Sequence, residues 1–196
     1  MKFVFSLSLS LLFCCHVAAD TIPTYTLFGV DIQLAQMRKD TAISVVTSDQ
    51  VSDGCWTSGQ ASEFALQREL IDAGYTNITE ASPFGASVFI TAIGYSSNEY
   101  SCAVSVTLSL WLANIERREF GNALFFSFGR KNALEYTSIL TGPKTDMSDR
   151  IKETVRDYAD QLIVDIQKHK NFAQEQIGTL DATQAEKHSL LDTIVD

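Results

Sequence analysis

SVFITAIGYSSNEYSCAVSVTLSLWL, residues 87–112, is the stretch that decides the fold. In its first part Val88, Ile90 and Ala92 alternate with Phe89, Thr91 and Ile93. In its second, Val104, Val106, Leu108, Leu110 and Leu112 alternate with Ser105, Thr107, Ser109 and Trp111. Successive side chains of a strand point to opposite faces, so a period of two makes each part a strand with one apolar and one hydroxyl-rich side. Ser96-Ser97-Asn98-Glu99 lies between them as a turn, and the whole reads as an antiparallel hairpin.

Downstream, Leu124, Phe126 and Phe128 predict a further strand over 120–129. Gly142-Pro143 then breaks the pattern, and a helix is expected from Ser148 to about Lys170. Ile151, Val155, Tyr158, Ala159, Leu162, Ile163 and Ile166 recur there at three- and four-residue steps. Ser148 or Thr145 is placed to cap its start, and Lys168 and Lys170 suit a carboxyl end.

Upstream, a helix is expected over 61–73. Phe64, Leu66, Leu70 and Ile71 form its apolar face, Thr57 and Gln60 have capping-box spacing, and Gly74 closes it. Residues 25–35 alternate Phe28, Val30, Ile32 and Leu34 against Leu27, Gly29, Asp31 and Gln33, which predicts a first strand. A shorter one is expected at 42–48 and an extended piece at 75–80. Mostly antiparallel strands and two amphipathic helices predict an α+β fold, a two-layer sandwich with both helices on one face of the sheet.

The first residues have a different character. Met1-Lys2, an apolar run from Phe3 to Phe13 and the small residues before Asp20 follow the pattern of a signal peptide cut after Ala19. The expected organisation is a leader at 1–19, one domain at 20–170 and an acidic extension at 171–196. In the extension Thr183 and Glu186 form a capping-box pair, and Leu190, Leu191, Ile194 and Val195 suit a short helix. Cys14 and Cys15 raise lipidation, but the residue preceding each is not small. Asn77-Ile78-Thr79 is a glycosylation sequon if the source is eukaryotic. Cys55 and Cys102, in an exported chain, are expected to form one structural disulfide.

The chain carries 15 Lys and Arg against 24 Asp and Glu, a net charge of −9. Its bases come as isolated pairs, Arg38-Lys39, Arg117-Arg118 and Arg130-Lys131, so no track for nucleic acid is expected. His169 sits between two lysines and His188 in the extension, neither placed for a nucleophile–histidine pair. Residues 49–60 match a calcium loop at Asp49, Asp53 and Gly54 but fail at Val51 and Gln60. No metal-ligand cluster and no phosphate-binding glycine motif is present in the sequence. Asp157 and Asp160 fall on the polar side of the long helix.

These readings converge on an exported, periplasmic or extracellular, non-enzymatic binding or assembly protein. No cofactor is expected, and the partner is expected to be a protein met through Tyr95, Tyr100 and Trp111. Two other classes remain: a hydrolase whose carboxylates come from distant positions, and an acidic inhibitor of a basic enzyme.

Overall fold

The computed structural model describes Tyr25, Leu27, Gly29 and residues 31–79, 85–120 and 123–194. The leader, Cys14, Cys15, Phe28 and Val30 lie outside them. The elements run α1 (Ile32–Ala35), β1 (Ile43–Val51), α2 (Gly59–Asp72), β2 (Ile78–Thr79), β3 (Ala86–Asn98), β4 (Ser101–Phe120), β5 (Ala123–Pro143), α3 (Lys144–Thr179) and α4 (Gln184–Asp192).

The sheet has the order β2-β1-β3-β4-β5. The long pairings, β3 with β4 and β4 with β5, are antiparallel, and β1 runs parallel to both of its neighbours. A parallel neighbour needs a crossover connection, which α2 supplies between β1 and β3. The fold is α+β, as the alternation at 87–112 predicts.

Val88, Ile90 and Ala92 of β3 and Val104 to Leu112 of β4 turn their apolar side to the helices. They are buried with Leu66 and Leu70 of α2 and with Met147, Ile151, Val155, Ala159, Leu162 and Ile166 of α3. Cys55 and Cys102 are bonded at a Cα–Cα distance of 5.9 Å and are both buried. The bridge ties the loop after β1 to the start of β4. Gly74 adopts φ +95° behind α2, the left-handed conformation that a glycine closes a helix with.

Several local expectations are corrected. Residues 32–35 are a helix turn, not the end of a strand. Asp31 caps it by accepting from the N–H groups of Gln33 (3.1 Å) and Leu34 (3.4 Å), and the consecutive residues Leu34 and Ala35 are both buried. Two adjacent buried side chains cannot come from period-two alternation. The capping box at Thr57 does not form. The helix starts after Ser58, and Thr57 instead donates its N–H to Ser148 Oγ at 3.0 Å. That engagement also takes Ser148 away from the start of α3, which begins four residues earlier, directly after Pro143.

The apolar face of α2 is narrower than expected: Phe64 and Ile71 are exposed. Helix α3 runs past Lys170 to Thr179, about 54 Å at 1.5 Å per residue. Lys170 is buried in its middle rather than closing its end. Of the strand expected at 120–129, Phe120 ends β4, residues 121–122 lie outside the described ones, and 123–129 belong to a longer strand that continues to Pro143. The Thr183–Glu186 capping box is present on α4, and Ile194 just beyond it packs with Ala35, Ala173 and Ile177.

Candidate functional site

Strand β3 begins at Ala86, so β4 has β3 as a neighbour only up to Trp111, which pairs with Ser87. Beyond that point β4 and β5 continue as a two-stranded ribbon from Leu112/Lys131 to Phe120/Ala123. The arm is roughly 26 Å long at about 3.3 Å per residue.

A lone ribbon is marginally stable, and the base of this one is held. Lys131 pairs with Asp31 and Asn114 accepts from Gln33 Nε2 at 2.8 Å, both on the α1 side. Arg130 donates to Ser87 on the other side. Burial pushes the Asp31 carboxyl up, but the Lys131 ammonium and the N–H groups of Leu34 and Gln33 together hold it below its ordinary value.

Residues paired directly across a ribbon share a face. The face away from the helices therefore carries Ile115 with Phe128, and Arg117 with Phe126, and Leu124 follows on the same side. Ile115, Leu124, Phe126 and Phe128 are 54%, 47%, 57% and 65% exposed. The opposite face carries Glu116 and Arg118, which form an ion pair at 2.7 Å. Toward the base of the arm the same face carries Ala113 with Arg130, and then Trp111 with Asn132. That indole meets Phe89 edge-on at 6.3 Å and donates to Ser109 Oγ at 3.1 Å. Phe89, Thr91, Ser109, Trp111 and Arg130 line a shallow depression of about 400 Å³ there.

Of the three residues expected at a partner surface, Tyr95 and Tyr100 are exposed near the β3–β4 turn, and Trp111 is half-buried. Tyr95 lies eight positions along β3 from the residue facing Trp111, roughly 26 Å away. The tyrosines and the tryptophan thus occupy opposite ends of the outer face. Alternation in the sequence predicts an end to β4 at Leu112, so the arm is not legible there. The signal available was the apolar cluster Leu124-Phe125-Phe126 beside the basic pairs.

The groups weighed for catalysis are dispersed. His169 sits within α3 and accepts from the Asp31 N–H through Nδ1 at 3.3 Å, and exposed His188 lies 3.8 Å from Asp192. Asp157 and Asp160 are exposed. Among the described residues no three His, Cys, Asp or Glu side chains are grouped to hold a metal ion. Among the described residues five carboxyls are shifted, all downward: Asp31, Glu116, Asp149, Asp165 and Glu186. At Asp165 burial acts upward and is outweighed by hydrogen bonds from Gln161, Lys168 and Tyr136. A carboxylic acid that donates a proton near neutral pH needs the opposite direction. Asn77 is exposed, and its Nδ2 donates to Asp40 O at 3.1 Å.

At the far end of α3 a recess of about 390 Å³ opens between α1, α3 and α4, walled by Leu27, Ile32, Ile177, Leu180, Leu190 and Ile194. Tyr25 also lines it, its phenol pKa raised by burial and by the hydrogen bond and charge of Glu186 and the charge of Asp181. Among the described residues no helix is long and apolar enough to cross a membrane.

No protein-family model matches the sequence, and no curated protein matches it. Among the solved structures that resemble the chain are two of PelC. One is a point variant of the PelC dodecamer from Paraburkholderia phytofirmans, with a TM-score of 0.38 and 15% identity, covering 64% of this chain and 88% of that one. The other is the PelC dodecamer from the same organism, with a TM-score of 0.37 and 15% identity, covering 63% and 88%. Likeness at this level carries neither family membership nor function to this chain.

Proposed function

We propose that this chain is an exported, non-enzymatic binding or assembly protein that holds a protein partner through the outer face of its sheet. The arm and Trp111 form the main contact, and Tyr95 and Tyr100 form a separate one beside the turn. The observation that carries this reading is the row Ile115, Phe128, Phe126 and Leu124, large apolar side chains exposed on a ribbon that projects beyond the sheet. Contiguous apolar surface of this kind marks interaction sites, because leaving it in water costs free energy that a partner recovers. The buried Cys55–Cys102 bridge supports export, since such bonds persist in oxidising compartments.

The test places a photo-crosslinking amino acid at position 126 of the full chain in the cells that make it. The expected result is a discrete adduct with one protein, lost on replacing Leu124 with Ser while the melting temperature holds. Absence of any adduct, or a large fall in melting temperature showing that Leu124 supports the core, refutes the reading.

A further inference from the structure

At the edge of the sheet opposite β5, strand β1 is covered only briefly. β2 pairs with it at Ile43 and Ser44 and ends at Thr79. Among the described residues no strand pairs with this edge from Val45 to Val51. The Ile43 N–H donates to Asn77 O on the β2 side at 2.9 Å, whereas Ala42 O accepts from the Ala86 N–H and the Ser52 N–H donates to Gly94 O on the β3 side. Alternation along the strand therefore turns the N–H and C=O groups of Thr47 and Asp49 outward, past the end of β2. The next outward donor, the Val51 N–H, is closed by Asp49 Oδ1 at 2.9 Å. Native proteins guard a bare edge with lysine, proline or a bulge. Residues 45–51, VVTSDQV, hold neither lysine nor proline, and their register with β3 runs without a shift.

Helix α2 flanks the same edge. A recess of about 670 Å³ lies between them, walled by Val45, Glu63, Gln67, Ile71, Ile78 and Thr79. Ile71 is 55% exposed, and Phe64, seven residues earlier and so on the same side of the helix, is 57% exposed. The core uses neither. Val45 and Thr47 pair with Val88 and Ile90 and so share their helix-facing side, which means that a strand laid beside them would direct every second side chain toward α2.

We propose that an extended segment of a partner protein joins the sheet as a strand along Val45–Asp49, with alternate apolar side chains packed on Ile71 and Phe64. Main-chain hydrogen bonds supply affinity in this mode, and the pockets beside the edge select the side chains. The pairing of β2 shows that the edge accepts a strand. A copy of β1 offers only Val45, Thr47 and Asp49 on the side facing α2, too polar a row for Phe64 and Ile71, so the occupant is a different polypeptide. This surface is separate from the arm, and either can fail without the other.

The experiment pans a phage-displayed library of short random peptides on the full chain and measures the enriched peptides by fluorescence anisotropy. They should carry apolar residues at alternate positions. Ile71→Asp and Phe64→Asp, both at exposed positions, should each weaken binding by about tenfold or more, the loss expected of an interface anchor. Ile139→Asp, at an exposed position on β5, should leave it unchanged. Methylating alternate peptide amides should abolish binding, and methylating the intervening ones should not, because a strand on an edge turns only every second residue toward it. Enrichment of no sequence, unchanged affinity in both α2 variants, an equal loss in Ile139→Asp, or the same effect from either set of methylated amides overturns the proposal. A native chain that sediments as a dimer dissociated by Ile71→Asp would put a second copy on the edge and overturn it as well.

Discussion

Reduction of the Cys55–Cys102 bond should lower stability by a definite amount. The cysteines are 47 positions apart. Both sulfurs are buried among apolar neighbours, where a thiol behaves as a small hydrophobic group. The loss therefore falls mainly on the unfolded chain, which gains the freedom of an open loop. For a closed loop of that size the chain-entropy relation gives about 4 kcal/mol at 25 °C. At about 2–4 °C per kcal/mol for a chain of this length, the melting temperature should fall by roughly 10 °C.

The assay is urea unfolding of the oxidised and reduced protein followed by circular dichroism. The denaturant slope should also rise on reduction, because the opened chain exposes more surface. A difference below about 1 kcal/mol with an unchanged slope would refute the reasoning. It would mean that the reduced chain keeps the β1–α2 loop near β4 without the bond, or that native strain offsets the entropy.

Three further outcomes follow from single positions. At Gly94 an added Cβ would lie 2.5 Å from the Ala103 carbonyl oxygen and 2.8 Å from Val104 Cα. Backbone atoms cannot step aside, so Gly94→Ala should part β3 from β4 at a cost of about 1–3 kcal/mol, and an unchanged urea midpoint would contradict it. Thr183→Ala removes the cap that accepts from the Glu186 N–H and the hydroxyl bond to Glu186. It should cost about 1 kcal/mol, seen as faster amide exchange confined to α4, and equal exchange there would argue against the capping role.

The Asp31 carboxyl is lowered in the folded state from an ordinary value of 3.8. Its stabilising contribution is therefore present above that value and is lost as pH falls through the lowered one. Asp31→Asn should be less stable than the native chain at neutral pH, by a small amount because half-exposed Lys131 is screened by water. The difference should close in acid, and a gap that stays constant down to low pH would refute the ionic account.

Local pattern in the amino-acid sequence was enough for the β3–β4 hairpin, the cores of α2 and α3, the glycine closing α2 and the capping box of α4. Each is set by the alternation or helical spacing of neighbouring residues, or by one side chain bonding a backbone group a few positions away. The pairing of Cys55 with Cys102 was legible by elimination, once Cys14 and Cys15 were set aside with the expected leader.

Other features depended on partners distant in sequence. Asp31 turns Ile32–Ala35 into a helix because Leu34 and Ala35 are buried together, and Ser148 takes Thr57 away from its box. The arm, which carries the candidate site, exists because β3 begins opposite Trp111 while β4 and β5 continue. Read alone, Arg117-Arg118 and Arg130-Lys131 look like charges at strand ends or turns, and 120–129 like a separate strand. Alternation sets which side of a strand is apolar. Whether that side is covered depends on where the neighbouring strand and helix stop, and that is decided only when the chain packs.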